Sequence, residues 1–94
     1  MSEFRVEHIR TRIGEIISAS TNYSSAELCR REMDHLHKDL GIDSLTLLEI
    51  ALSVDQEFET DFSEEELLGM ESIQRAAEMV ANRLEGLKGE AAAG

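Results

Sequence analysis

Residues 39–58 read DLGIDSLTLLEIALSVDQEF, a short glycine-containing loop followed by a strongly apolar segment. From Ser44 to Phe58 the apolar residues recur every three or four positions, and this spacing predicts an amphipathic helix. They form two adjacent rows, with Leu45, Leu48 and Leu52 in the first and Leu47, Ala51, Val54 and Phe58 in the second. So wide an apolar face predicts a central helix that contacts several others. Asp43 and Ser44 supply capping side chains at its start.

Helical spacing also appears on both sides of this segment. An N-terminal stripe ends near Ser18 and consists of Val6, Ile9, Ile13, Ile16 and Ile17. Ser63 and Glu66 form the pattern of a capping box, and Gly69 limits the helix that follows to about one turn. Ser72 is placed to cap a last helix. Its apolar stripe consists of Ile73, Ala76, Ala77, Val80 and Leu84.

Residues 26–43 show no regular pattern, and they predict a long loop with one helical turn. Four apolar residues are expected to anchor this loop: Leu28, Met33, Leu36 and Leu40. No stretch alternates with a period of two for long enough to predict a strand. We therefore expect an all-α fold with three longer helices, one short third helix and a long first loop. The domain is expected to span residues 1–85, with a flexible C-terminal tail at residues 86–94.

The 94 residues include 20 Asp and Glu against 9 Lys and Arg, which gives a net charge of −11. This acidity disfavours nucleic acid and anionic membranes as partners, and it favours basic protein surfaces. No apolar run approaches the roughly 20 residues of a membrane span, and the first residues lack the apolar stretch of a secretory signal. The single Cys29 cannot form an internal disulfide, which fits a reducing compartment. We expect a small acidic protein of the cytoplasm.

The acidic residues are unevenly distributed along the chain. Between Asp39 and Ser72 there are eleven Asp and Glu residues and no Lys or Arg. A surface that only keeps a protein in solution usually mixes both signs, because like charges on neighbouring helical turns repel each other. This span therefore indicates a docking face for basic surfaces, although a solvated face without a partner also agrees with the charge pattern.

Ser44 lies where the glycine-containing loop meets the predicted helix. Free backbone N–H groups and the helix dipole favour an anion at such a place, so the hydroxyl is suited to carry a phosphate ester or simply to cap the helix. The sequence Asp43-Ser44-Leu45, after Leu40-Gly41-Ile42, resembles the phosphopantetheine attachment motif of the acyl carrier protein family. The resemblance runs from Asp39 to about Val80, and it implies a four-helix bundle.

The resemblance implies that Ser44, between Asp43 and Leu45, receives a 4′-phosphopantetheine arm from coenzyme A. A separate Mg²⁺-dependent phosphopantetheinyl transferase would make the bond. The arm would hold acyl intermediates as thioesters and deliver them to enzymes of fatty-acid, polyketide or related lipid biosynthesis. On this view the protein is a monomeric covalent shuttle and not an enzyme, with no catalytic residue of its own.

Members of the family dock through their second helix on basic patches of acyl-transferring and condensing enzymes. That property matches the acidic span, and the residues expected to dock are Asp39, Leu48, Glu49, Asp55 and Glu57. The sequence departs from the common pattern at Thr46, where many members have an acid, and in the more basic segment 28–38. These departures leave a fatty-acid pathway and a specialised polyketide or lipid pathway both open.

An alternative is an unmodified acidic adaptor or divalent-cation module with the same fold. Residues 55–66 place acids at the ligand positions of a calcium-binding loop, but Thr60 stands where the sharp turn needs glycine. His35 and His37 do not share a helix face, and with Cys29 they lack a fourth ligand at metal-site spacing. We therefore interpret the two histidines as solvated loop residues and expect no metal site.

Overall fold

The computed structural model describes the backbone of residues 6–93 and the side chains of residues 6–85. It contains five helices, α1 (Val6–Ser20), α2 (Ser25–Arg30), α3 (Ser44–Glu57), α4 (Glu64–Leu68) and α5 (Ile73–Ala93). Helices α1, α3 and α5 are the three longer ones, α4 is the short one, and α2 is the helical turn expected in the first loop. The described backbone contains no strand, which confirms the all-α, acyl-carrier-like bundle.

Helix α1 holds the central position in the bundle. It packs against α5, α2 and α3, whereas α3 packs against α1 and α4. Three isoleucines of the predicted stripe are at most 2% exposed: Ile9, Ile13 and Ile17. The helix continues past Ser18 to Ser20, where the Thr21 hydroxyl donates to the Ile17 carbonyl oxygen at 2.9 Å. Helix α3 contacts two other helices, as its wide apolar face predicts, but α1 contacts three and is the more central of the two.

The two apolar rows of α3 differ in burial. The second row faces the core: Ala51 and Val54 are buried, and Leu47 and Phe58 pack against them. The first row lies outward, with Leu45 69% exposed and Leu48 half-buried. Half of the wide apolar face thus stays available at the surface, and periodicity alone does not distinguish such a row from a second buried one.

The last two helices begin at the predicted caps. At α4, the Glu66 N–H donates to Ser63 Oγ at 3.2 Å and the Ser63 N–H donates to Glu66 Oε1 at 2.9 Å, which confirms the capping box. At α5, Ser72 Oγ accepts from the Arg75 N–H at 3.0 Å. The side chains of residues 86–94 lie outside the described residues, so the tail and the domain boundary at residue 85 remain predictions.

The connection between α2 and α3 is anchored by buried leucines. Leu28, Leu36 and Leu40 are at most 5% exposed, as predicted, but Met33 is 73% exposed and anchors nothing.

Within the described part of the chain, no helix is both long enough and apolar enough to cross a membrane.

Candidate functional site

Ser44 is the first residue of α3, and its side chain is exposed. Gly41 turns the chain just before it with a φ of +74°, a conformation that favours glycine. Hydrogen bonds hold the loop in place on both sides of this turn. The Tyr23 hydroxyl donates to the Leu40 carbonyl oxygen at 2.7 Å, and the Ile42 N–H donates to the Leu36 carbonyl oxygen at 3.1 Å. Ser44 is therefore presented to solvent from a fixed backbone.

Asp43 caps the helix that Ser44 begins. Its Oδ1 accepts a hydrogen bond from the Thr46 N–H at 2.8 Å. This bond is the main reason why the pKa of the Asp43 carboxyl lies below its ordinary value, so the residue stays ionised. The Ser44 hydroxyl itself has no hydrogen-bond partner among the described residues. The residue is exposed, so the hydroxyl is accessible to an external group.

A groove of about 220 Å³ opens beside Ser44. Its apolar wall comes from α3, α4 and the segment after α4: Leu47, Leu48, Leu67, Leu68 and Met70. Its polar lining comes from the loop before α3 and from the start of the segment that leads to α5: His35, His37 and Glu71. A chain attached to Ser44 therefore begins at the edge of a largely apolar groove.

The two histidines hold the loop before α3. His35 Nδ1 accepts from the N–H groups of His37 at 3.2 Å and Lys38 at 3.1 Å. His37 Nδ1 lies 2.7 Å from the Ile42 carbonyl oxygen. Asp39 completes the turn, since its Oδ2 accepts from the His35 N–H at 2.8 Å. Both histidines lie in the loop, as predicted, with His37 exposed and His35 half-buried, and their hydrogen bonds also help to shape it.

The residues expected to dock differ in whether their side chains already form hydrogen bonds within the chain. Glu49 is exposed, and its carboxylate has no partner within residues 6–85. Leu48 lies close to Ser44 on the wall of the groove. Asp55 lies about 16 Å along the helix from Ser44 and is half-buried. Asp55 Oδ1 accepts from the Thr60 hydroxyl at 2.6 Å and the Phe62 N–H at 3.1 Å.

Glu57 and Glu66 are also bound within the chain. Both Glu57 oxygens accept from Arg12, at 3.0 Å and 3.1 Å, and this contact lowers the pKa of Glu57. Glu66 Oε2 accepts from Arg83 at 2.7 Å. Asp55, Glu57 and Glu66, which match ligand positions of a calcium-binding loop in the sequence, thus bind separate partners within the chain. Nowhere among the described residues do three His, Cys, Asp or Glu side chains gather as metal ligands would.

Sequence reasoning located Ser44, Asp43 and Leu48 but missed the opposite wall of the groove. Leu68 is the last residue of α4 and Met70 follows the helix, and no pattern in the sequence places them in one groove with Ser44. The only signal for the histidines was their position a few residues before Gly41. Long-range contacts of this kind depend on how the helices pack, which local spacing does not determine.

Comparison with known proteins identifies the family to which this chain belongs. The sequence model described as "Phosphopantetheine attachment site" matches residues 9–80. The "Acyl carrier protein" of Coprothermobacter proteolyticus (strain ATCC 35245 / DSM 5265 / OCM 4 / BT) is 37% identical over 49 residues, which span 52% of this chain and 60% of that protein. No solved structure gives a significant match. Because the family model covers more than half of the chain, this protein belongs to the phosphopantetheine attachment family of the acyl carrier proteins, whose prosthetic group is 4′-phosphopantetheine.

Proposed function

We propose that Ser44 is the attachment point of 4′-phosphopantetheine and that the protein carries acyl groups on this arm between biosynthetic enzymes. The exposed hydroxyl at the first residue of α3, inside the region that matches the family, is the observation that supports this most directly. The residues around it fit the group. The positive end of a 14-residue helix favours the phosphodiester, and the apolar groove lies beside the path of the arm.

The attachment reaction exchanges the phosphoanhydride bond of coenzyme A for a phosphoester bond to the protein. Ser44 Oγ attacks the phosphorus of coenzyme A that bears the pantetheine, and a new O–P bond forms. The pyrophosphate P–O bond breaks, and 3′,5′-ADP leaves with the bonding electron pair. The Ser44 proton goes to a base on the transferase, and Mg²⁺ on that enzyme stabilises the phosphate charge. The thiol of the attached arm then holds acyl groups as thioesters.

The exposed end of α3 is the proposed docking surface. Leu45 and Leu48 offer apolar contacts beside Ser44, and Glu49 offers a carboxylate that has no partner among the described residues. This composition fits basic patches on the phosphopantetheinyl transferase and on acyl-transferring and condensing enzymes. Asp39, Asp55 and Glu57 extend the acidic face. They contribute less, because each of their carboxylates already accepts hydrogen bonds within the chain.

The compartment, oligomeric state and pathway of the carrier are also part of this proposal. A single unpaired cysteine and a net charge of −11 fit a monomer in the cytoplasm. The proposed pathways are fatty-acid, polyketide or related lipid biosynthesis.

Intact mass measures the attachment directly. The protein is incubated with coenzyme A, Mg²⁺ and a broad-specificity phosphopantetheinyl transferase, and a gain of one phosphopantetheine is expected. Ser44→Ala should show no gain. Ser53→Ala is the matched control, because Ser53 is exposed on the same helix and should not affect attachment. Modification of Ser44→Ala would contradict the assignment of Ser44. No gain by a folded wild-type protein with several transferases would favour the unmodified adaptor.

A further inference from the structure

The turn that leads from α2 to Ser44 has a cap of its own. His35 Nδ1 accepts hydrogen bonds from the backbone N–H groups of His37 at 3.2 Å and Lys38 at 3.1 Å. In return, Asp39 Oδ2 accepts from the His35 N–H at 2.8 Å. These bonds have the reciprocal arrangement of a capping box, in which one side chain accepts from the backbone ahead of it and a later side chain accepts from the first N–H. His35 therefore takes the place that serine or aspartate usually has at such a cap.

The capped turn is continuous with the backbone that presents Ser44. The His35 carbonyl oxygen accepts from the Leu40 N–H at 3.1 Å, and the His37 carbonyl oxygen accepts from the Gly41 N–H at 3.0 Å. Gly41 is the residue whose φ of +74° turns the chain just before α3. Loss of the cap at His35 therefore loosens the backbone on which the Ser44 hydroxyl is held.

His35 differs chemically from the side chains that cap α2, α3, α4 and α5. Those caps are three hydroxyls and one carboxylate, from Ser24, Ser63, Ser72 and Asp43. They remain acceptors at neutral pH, whereas an imidazole becomes a cation as the pH falls through about 6.5. A neutral imidazole with a bare Nδ1 already carries a proton on Nε2, so the second proton goes to Nδ1. Protonation of His35 therefore breaks both of the bonds that form the cap.

His37 responds to a proton in the opposite way. Its Nδ1 lies 2.7 Å from the Ile42 carbonyl oxygen, which can only accept, so this nitrogen carries the proton of the neutral ring. A second proton goes to Nε2 and leaves the bond to Ile42 in place. Of the two loop histidines, His35 alone loses hydrogen bonds when it becomes charged.

The charged groups around His35 do not change which bonds are lost. Within the turn these groups are Asp34, Lys38 and Asp39. Glu71 comes from the segment before α5 and lines the same groove as His35, to which α3 and α4 contribute only uncharged residues. The carboxylates attract a proton and the Lys38 ammonium repels it. Any proton that the ring gains nevertheless occupies Nδ1, because Nε2 is already protonated.

We propose that His35 is a positioning residue for the attachment at Ser44, and that its neutral form caps the turn in the conformation that presents the Ser44 hydroxyl to the transferase. Protonation of His35 releases the N–H groups of His37 and Lys38 and lets the turn open. The carrier then receives the arm less readily at low pH because of its own loop. This inference rests on the proposed attachment at Ser44, but the cap itself can be measured on the unmodified protein.

Nuclear magnetic resonance of the unmodified protein tests the cap at about pH 8 and about pH 5.5, on either side of the ordinary histidine value. At the higher pH, the ¹⁵N signals of His35 should show a bare Nδ1 and a protonated Nε2. At the lower pH, protection of the His37 and Lys38 amides from exchange, corrected for the intrinsic effect of pH, should fall roughly two- to thirtyfold, the range for loss of an N-cap. His35→Asn keeps an acceptor that does not titrate, so its protection should be the same at both values. A proton on Nδ1 at the higher pH, or an equal fall in His35→Asn, would overturn the cap.

The transfer reaction tests whether the cap positions Ser44. The kcat/KM for arm transfer to the wild type is divided by that for His35→Asn with the same transferase, so that the pH dependence of the enzyme cancels. This ratio should be close to one at the higher pH and should fall to about one half or below at the lower pH, because only the capped fraction accepts the arm. His8→Asn is the matched control at an exposed histidine of α1, and the ratio of wild type to this variant should stay near one.

The outcomes separate the cap from the attachment. A transfer ratio that stays near one while the two amides lose protection would overturn the positioning role of His35. Loss of transfer in parallel in the wild type and His35→Asn would overturn it as well. Absence of transfer to the wild type at both pH values would overturn the attachment at Ser44, a failure distinct from that of the cap, which the exchange measurement decides by itself.

Discussion

The two ends of α3 have similar sequences but different structural roles. At the end that starts with Ser44, Leu45 is 69% exposed and Glu49 has no side-chain partner among the described residues. At the other end, Val54 is 1% exposed and Glu57 pairs with Arg12. Both ends carry leucines or valines and acids, so their composition does not tell them apart. What distinguishes them is which neighbours lie within reach.

The packing of the bundle explains the difference. Helix α1 carries Arg12 to the far end of α3, and the turn after α3 folds back so that Thr60 and the Phe62 N–H reach Asp55. At the near end, the loop before α3 satisfies its own hydrogen bonds through His35, and it supplies no cation to Glu49. An acidic span thus contains both structural and available carboxylates, and only the second kind can bind a partner without breaking an internal bond.

Truncating one apolar residue at each end should give the largest difference. Val54→Ala removes two carbons from a site that is 1% exposed, and we expect it to lower the free energy of unfolding by about 2–3 kcal/mol from lost burial and a residual cavity. Leu45→Ala removes more carbon atoms from a site that is 69% exposed, and we expect a change within about 0.5 kcal/mol. Urea unfolding followed by circular dichroism measures both values. Equal losses would show that Leu45 is part of the core.

Charge reversal at each end should separate docking from stability. Glu49→Lys should weaken binding to the transferase roughly five- to tenfold at low salt, because a basic patch then meets a cation, and it should leave the unfolding midpoint unchanged. Glu57→Lys places a cation beside Arg12, so it should lower the midpoint and affect binding less. The measurement is the KM of the transferase for each carrier at low and high ionic strength.

The dependence on salt serves as the internal control for this pair. The difference between Glu49→Lys and wild type should shrink as salt rises, since exposed charges are screened within about 10 Å at 0.1 M ionic strength. A loss of affinity for Glu49→Lys that does not depend on salt would argue that the substitution disturbs the surface locally. A larger loss for Glu57→Lys than for Glu49→Lys would move the docking surface to the far end of α3.

Local chemistry in the sequence was enough to predict the helix starts. Asp43, Ser63 and Ser72 all accept hydrogen bonds from the backbone of the helix they precede, because N-caps depend on residues only three positions apart. The position of Ser44 at the start of α3 follows from the same signal. Whether the arm attaches there remains a prediction, since the family match supports it without naming a residue.

Packing between helices could not be predicted in the same way. The two apolar rows of α3 look equivalent in sequence, yet Ala51 and Val54 of one row are buried while Leu45 and Leu52 of the other are exposed. The hydrogen bonds of the two histidines were equally out of reach, since they depend on backbone groups brought close by the loop. Both failures concern what a residue contacts, and they leave intact the predictions of which element it belongs to.

Acid titration should give the smallest effect, and it tests the ion pair between Glu57 and Arg12 at the far end of α3. Arg12 lowers the pKa of Glu57 below its ordinary value of 4.5 in the folded state. The unfolded chain therefore takes up the proton at higher pH than the folded chain does. The stability contributed by this pair should be constant above about pH 4.5 and should decline as the pH falls through the lowered value.

Substitution with glutamine at each end isolates this contribution. Glu57→Gln cannot take up that proton, so its urea midpoint should fall less steeply than that of the wild type as the pH is lowered below about 5. Glu49→Gln is the matched control at the end without a partner, and it should follow the wild-type curve. The effect is small because Glu57 is exposed and solvent screens its pair with Arg12. A steeper fall for Glu57→Gln than for wild type would show that the pair with Arg12 does not hold the end of α3 against α1.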